Sequence, residues 1–297
     1  MNNSTNTQAT HPGDTPEPNV PAIVGVLGGG RMGSGIAHAF LTAGAQVRVV
    51  DINDDAIAAA QDRIIRAVDG SFARGAQGDR EEWLKRLSLS TDANAAFADA
   101  ELIIEAVPED PQLKAQSFEK IQHAAPQAVV ATNTSSLSVS DLARTISNDV
   151  IGLHFFNPVP ASKLVEIVVA DSTPEELVDR ARGWVTGLKK TPIVVKDAPG
   201  FASSRLGVVI ALEAIRMVEE GVASPKDIDN AMVLGYKFPV GPLELTDIVG
   251  LDVRLGIAEY LHETLGDRFA PPQLMRDMVA RGELGRKSGK GFYDYGD

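Results

Sequence analysis

The stretch 153–166 reads LHFFNPVPASKLVE and places a histidine and a glutamate twelve positions apart around a proline-bracketed turn. His154 leads into Asn157-Pro158-Val159-Pro160, and Glu166 follows inside an apolar run. Each proline holds its own φ at about −65° and biases the preceding residue toward extended backbone, so the path of the turn is largely preset. A turn of this kind can bring its two ends side by side, with Glu166 against the His154 ring. A carboxylate on one ring nitrogen orients the imidazole and fixes its tautomer, which leaves the other nitrogen to take or return a proton. Alone, a histidine in an apolar run is more often a packed structural residue. The rest of the chain decides between the two.

The elements that would position such a group begin with a short apolar stretch, Ile23-Val24-Gly25-Val26-Leu27, which predicts a buried strand. It runs into Gly28-Gly29-Gly30-Arg31-Met32-Gly33, a helical stretch 34–43, a second strand at 47–50, and Asp51 at that strand's tip. Gly28 allows a tight turn, Gly30 lets backbone approach a pyrophosphate, and Gly33 lets the helix pack closely on the sheet. Free N–H groups and the helix dipole then favour an anion at the helix start. A lone glycine fingerprint is weak. Here a strand precedes it, a helix follows, and an acid stands 18 residues beyond Gly33. Asp51 would accept hydrogen bonds from a ribose diol and repel a 2′-phosphate, which favours NAD over NADP. Arg31, inside the loop, either helps neutralise pyrophosphate or is simply solvated.

Apolar strands alternate with helical stretches through 102–107, 111–123, 128–131 and 150–153, the pattern of a mostly parallel sheet covered on both faces. The class predicted is α/β, a Rossmann-type doubly wound sheet, followed by an all-α C-terminal domain. Ligands on such sheets collect beyond the carboxyl ends of the strands. Glu105 and Glu109, Asn133-Thr134-Ser135-Ser136, and His154 all fall at such ends. From about Pro199 the pattern turns helical: a long amphipathic helix over 201–220, a helix capped by Ser224 with Pro225 in its first turn, and starts after Gly241-Pro242 and Pro271-Pro272. The boundaries read are a disordered tail over 1–20, a cofactor domain over 21–198, and a helical substrate and dimerisation domain over 199–297. Asp197 to Gly200 would be the hinge. The apolar faces of the helical block suggest a homodimer.

With 297 residues, 44% hydrophobic and 23% charged, the chain has ample material for a core. No apolar run reaches the about 20 residues needed to span a bilayer. No signal pattern stands at the N-terminus, and the absence of cysteine excludes disulfides and thiolate chemistry, so the expected location is cytoplasmic. A net charge of −12 argues against nucleic acid or anionic membrane as partners, and no residue group has metal-ligand spacing. Trp83 and Trp184 are expected in the core, His38 in helix packing or an interface, and His123 and His262 at the surface.

GGGRMG, IIEAVPED, TNTSSL, HFFNPVP, APGF, DIDNAM, GPLELTDIVGLD and GRKSGKGFYDY occur in this order across both halves. In these motifs the chain closely resembles the L-3-hydroxyacyl-CoA dehydrogenase family, especially the short bacterial 3-hydroxybutyryl-CoA dehydrogenases. The resemblance implies NAD as cofactor, an acyl-CoA substrate, and a catalytic pair of His154 and Glu166, with Ser135 touching the substrate oxygen. It further implies that the glycine loop, Asp51, Glu109, Lys114, Asn157 and Lys287 hold the cofactor. Ser71 and Arg74 lie where CoA contacts are expected, although Arg74 is as readily a solvated charge. One position departs: the family commonly has asparagine before the arginine of the PGF…R segment, where this chain has Ser204. That puts substrate preference, more than reaction type, in doubt. Two other functions share the fold: oxidation of a free hydroxy acid or sugar acid, and cofactor storage without catalysis.

Overall fold

A computed structural model describes residues 20–296; the segment 1–19, where a disordered tail is expected, and residue 297 lie outside the described residues. β1 (Ile23–Leu27) runs through the glycine turn into α1 (Arg31–Thr42) and then β2 (Gln46–Val50). α2 (Asp54–Ala73), α3 (Arg80–Lys85), β3 (Leu87–Ser90), α4 (Ala93–Phe97) and β4 (Leu102–Glu105) follow. α5 (Pro111–Ala124) leads to β5 (Val129–Thr132), and α6 (Val139–Ala143) leads to β6 (Val150–Phe155) and β7 (Leu164–Val169). α7 (Glu175–Gly187) precedes β8 (Thr191–Lys196).

These strands form one eight-stranded sheet in the order β3-β2-β1-β4-β5-β6-β7-β8. The pairings from β3 through β6 are parallel. Every residue of β4, β5 and β6 is buried, as expected of strands covered on both faces. The order reverses between β1 and β4, which is where such sheets open a crevice for ligands. Register sets the rim of that crevice. Val50, Leu27, Glu105, Thr132 and Gly152 lie level across five strands. Asp51, Gly28 and Asn133 therefore each stand one residue beyond that level.

β7 and β8 extend the sheet beyond the elements read from the sequence. The short segment between β6 and β7 is too brief for a parallel crossover, so β7 returns antiparallel beside β6. Thr191 N donates to Lys163 O and Asp197 N to Val169 O, a constant offset that makes β8 parallel to β7.

Two compact units divide the described chain. One takes in the chain up to Asn133, then 143–167 and 172–194; the other takes in 134–142, 168–171 and the chain from Val195 onward. The first has its core in Val24, Val26, Ile36, Phe40, Ile104 and their neighbours. The second is built on α8 (Ser203–Glu219), α9 (Pro225–Asn230), a π-helical turn (Ala231–Gly235), α10 (Pro242–Val249), α11 (Leu251–Leu265) and α12 (Gln273–Ala280). Val208, Leu212, Ile215, Leu243, Leu261 and Met275 are among the residues of its core.

Three sequence readings are corrected. α1 begins at Arg31 rather than Ser34, because Ser34 N already donates to Gly30 O at 2.9 Å; Arg31, Met32 and Gly33 are thus first-turn helix residues, not loop. The long helix over 201–220 starts at Ser203, since Phe201 has φ +50°, which a right-handed helix does not admit. Trp83 is only half-buried and lies against Phe72, ring centroids 4.8 Å apart, whereas Trp184 is buried. Elsewhere local signals act as read: Ser224 Oγ accepts from Asp227 N at 3.2 Å, with Pro225 opening α9. No described helix is long and apolar enough to cross a membrane.

Candidate active site

His154 is the fifth residue of β6 and Glu166 the third of β7, and the adjacency of these strands sets them face to face. His154 Nδ1 lies 2.7 Å from Glu166 Oε2. Glu166 is fully buried and His154 is 6% exposed. A buried carboxylate accepts, so Nδ1–H donates to it and Nε2 is left as the basic nitrogen. The Phe156 ring flanks the imidazole at 4.5 Å between centroids. The turn expected to join the two strands is present, with its Asn157–Pro158 bond cis and Asn157 exposed.

The glycine loop fits a dinucleotide. Gly28 has φ +98°, and a Cβ on Gly33 would lie 1.8 Å from Gly28 O, so neither position admits a side chain. Gly30 faces open space, as backbone that a ligand approaches must. Asp51 Oδ2 accepts from Gly29 N and Oδ1 from Ile52 N, both at 2.7 Å, which holds the carboxylate beside the loop. Sequence reading passed over three neighbours. A Cβ on Gly29 would meet Ala60 Cβ at 2.5 Å, Arg63 Nη1 donates to Gly29 O at 3.1 Å, and Ile52 is 84% exposed beside Asp51. Arg63 and Arg66, spaced one helical turn apart on α2, line a concavity with Arg31 and the 157–160 turn. Their spacing was the available signal.

At the end of β4 the fully buried Glu105 accepts four hydrogen bonds from three donors. Lys114 Nζ approaches its oxygens at 2.7 and 2.9 Å, Thr132 Oγ1 donates at 2.7 Å, and Val107 N donates at 2.7 Å. Lys114 is 1% exposed and also pairs with Glu109 at 3.4 Å. Among the charged side chains implied to hold the cofactor, it is enclosed, whereas Glu109 and Lys287 keep 36% and 46% exposure. Asn133 Oδ1 accepts from Phe155 N at 2.9 Å, tying the end of β5 to the strand that carries His154.

Ser135 and Ser204 belong to the second unit, where Ser204 Oγ donates to Ser135 O at 3.3 Å. Lys287, also there, is bound by both oxygens of Asp252 at 2.6 Å. In the first unit, Ser71 Oγ is engaged by His38 Nε2 at 2.9 Å and Ala67 O at 3.1 Å, whereas Arg74 is exposed. Burial, aided by Arg74 and Lys190, pushes the His38 pKa down to about 4, so this histidine is neutral at pH 7.

The buried acids of the second unit explain three of the C-terminal motifs. Asp229 accepts from Leu243 N, Glu244 N and Tyr293 Oη, each at 2.8 Å. Asp247 accepts from Phe292 N, Tyr293 N and Tyr295 Oη at 2.9–3.1 Å. These bonds fasten the last segment of the chain to the helices.

The sequence matches a family model described as 3-hydroxyacyl-CoA dehydrogenase, NAD binding domain, over residues 23–198, and one described as 3-hydroxyacyl-CoA dehydrogenase, C-terminal domain, over 200–295. The chain belongs to the 3-hydroxyacyl-CoA dehydrogenase family. Like the family it is an NAD-dependent oxidoreductase. A probable 3-hydroxybutyryl-CoA dehydrogenase of Bacillus subtilis (strain 168) is 40% identical over 276 residues, 91% of this chain and 96% of that relative. The mitochondrial hydroxyacyl-coenzyme A dehydrogenase of Sus scrofa is 38% identical over 284 residues, 92% of this chain and 90% of its own. The solved structure of (S)-3-hydroxybutyryl-CoA dehydrogenase PaaH1 from Ralstonia eutropha superposes with a TM-score of 0.89 at 36% identity, covering 93% of this chain and 100% of that one. The two family models thus cover both halves of this chain, the sheet with its glycine turn and the helical C-terminal part.

Proposed function

We propose that this dehydrogenase interconverts a (3S)-3-hydroxyacyl-CoA and the corresponding 3-oxoacyl-CoA, with short acyl groups preferred. The observation that carries the reading is the buried His154–Glu166 pair at 2.7 Å. With Nδ1 engaged, His154 Nε2 takes the substrate hydroxyl proton while the C3–O bond becomes a carbonyl. NAD, when bound, accepts the hydride that leaves C3. Glu166 holds the ring and stabilises the imidazolium that develops, and in the reverse direction the same nitrogen returns the proton. Ser135 positions the substrate oxygen, and Ser204, one hydroxyl in place of an amide, supports it.

The residues assigned to the cofactor are Gly28, Gly30, Arg31, Met32, Gly33, Asp51, Glu109, Asn157 and Lys287. Lys114 acts beneath them by fixing Glu105 and Glu109. Ile52 offers an apolar face to the adenine. Arg31, Arg63 and Arg66 give an otherwise acidic chain a local cationic surface suited to phosphate, with Ser71 and Arg74 as further CoA contacts. The protein acts as a homodimer through its C-terminal helices and works in the cytoplasm.

NADH oxidation measured with acetoacetyl-CoA and with free acetoacetate tests this reading. Strong preference for the thioester is expected. Equal efficiency on both would remove CoA recognition from the function, and tight NADH binding without turnover of any 3-oxoacyl-CoA would sink the catalytic assignment.

A further inference from the structure

The turn between β6 and β7 is short of hydrogen-bond donors of its own. Pro158 and Pro160 contribute no N–H, and Ala161 N and Ser162 N both donate to Pro158 O at 3.0 Å. Among the described residues no backbone N–H reaches Val159 O or Ser162 O. A carbonyl that packing withdraws from water needs a donor from elsewhere. Val159 is buried, and Lys190 supplies that donor: its Nζ donates to Val159 O at 2.6 Å and to Ser162 O at 2.5 Å. No carboxylate pairs with Lys190 among the described residues, so the turn is where its ammonium is engaged.

Local structure aims this side chain. α7 closes in a Schellman turn, with Lys189 N donating to Thr186 O at 2.8 Å and Lys190 N to Val185 O at 3.1 Å. Lys189 takes the left-handed position of that turn at φ +58°, where glycine is usual and a side chain is disfavoured. Thr191 N then donates to Lys163 O at 2.6 Å as β8 begins. Lys190 is thus fixed between a helix end and a strand start, with its ammonium on the turn. Val159 is also packed on α1, where a Cβ on Gly35 would lie 2.9 Å from its own. All of these residues belong to the first unit, as do His154 and Glu166.

We propose that Lys190 is a positioning residue for the dehydrogenase reaction, holding the 157–162 turn so that His154 stays against Glu166. The inference rests on the function proposed above and adds a residue outside its catalytic and cofactor set. His154 lies four residues before Pro158, and Glu166 four beyond Ser162. The clamp joins the two halves of the turn, carbonyl to carbonyl, and so acts on the spacing of the strands that carry the pair. An ammonium offers three donors and no acceptor, which suits two carbonyls. Without it both carbonyls lose their donor, the turn relaxes toward water, and the imidazole loses its alignment. A displacement of about 1 Å at a reacting group can cost about 10² in rate.

The test compares wild type, Lys190→Met and Lys190→Arg in NADH oxidation with acetoacetyl-CoA, alongside proton NMR of the low-field His154 Nδ1–H resonance. His154→Ala identifies that resonance by its loss. Lys190→Met is expected to lower kcat by about tenfold to a hundredfold, with KM for acetoacetyl-CoA within about threefold of wild type. Its low-field resonance should broaden or move upfield as the bond to Glu166 loosens. Lys190→Arg, which keeps charge-assisted donors, should restore most of kcat and the resonance. A Lys190→Met kcat within about twofold of wild type overturns the inference, and so does a low kcat with the resonance unaltered. Should Lys190→Met fail to fold, Lys190→Gln, which keeps N–H donors without the charge, is read by the same two measurements. Wild-type protein that reduces no 3-oxoacyl-CoA is instead the failure of the proposed function, and the resonance then decides alone whether Lys190 holds the pair.

Discussion

At the scale of single residues, the proposed chemistry rests on an imidazole whose Nδ1 is held by Glu166 at 2.7 Å. His154→Ala should lower kcat with acetoacetyl-CoA by about 10² to 10⁴, the usual worth of a positioned acid–base group. NADH binding, followed by fluorescence, should be retained. Glu166→Gln keeps the shape of the pair but removes the charge that stabilises the imidazolium, so kcat should fall with little change in the melting temperature. A second residue-scale claim concerns Lys114. Its ammonium is enclosed with Glu105 at 2.7 and 2.9 Å. Removing one member of a buried pair typically costs about 3–5 kcal/mol because the other charge is stranded. Lys114→Met should therefore show a loss of that size in urea denaturation, whereas a lysine that only touches the cofactor would leave the unliganded protein's stability nearly unchanged.

At the scale of elements, α1 carries two separate constraints. Its first turn begins at the glycine loop, where a Cβ on Gly33 would be driven into Gly28 O. Gly33→Ala should thus weaken NADH binding far more than it changes circular dichroism in the helical region. Further along, the same helix holds His38, neutral with its pKa pushed down to about 4 from an ordinary 6.5. The unfolded chain takes up a proton at this site more readily than the folded one. Stability is accordingly full above about pH 6.5 and declines as pH falls toward 4, by a loss on the order of 3 kcal/mol. His38→Gln should flatten the urea midpoint against pH across that window; an unaltered slope would show that other groups govern it. The neighbouring turn is held to the same helix: a Cβ on Gly35 would lie 2.9 Å from Val159 Cβ, and Lys190 Nζ clasps Val159 O at 2.6 Å. The segment between His154 and Glu166 is therefore a packed element, not a free loop.

At the scale of the whole molecule, exposed large apolar side chains gather on the helical unit, among them Leu206, Val222, Leu234, Tyr236, Ile248 and Val253. Sedimentation equilibrium should report a dimer, and the double variant Leu206→Glu with Val253→Glu should shift it toward monomer. A wild-type monomer at micromolar concentration would remove the dimer from the description. Much of the architecture was legible before any coordinates, because its signals are local. Continuous apolar runs at 23–27, 102–105 and 150–155 mark strands covered on both faces, and the glycine spacing after β1 marks the phosphate turn. Ser224-Pro225 marks a helix start by the same local chemistry. The contact between His154 and Glu166 was legible because proline presets the turn between them. What the chain did not disclose depends on neighbours distant in sequence. β7 and β8 are not among the strands read from the sequence, and the sheet order is what pairs them. Glu105 and Lys114 look like rim residues until packing buries them together, and Asp229 and Asp247 look like surface acids until the last segment folds over them. Arg254, on α11, carries no local sign of burial, since only the approach of α11 to Gly207 encloses it. Periodicity and turn chemistry are written along the chain, whereas burial of a charge is decided by what folds on top of it.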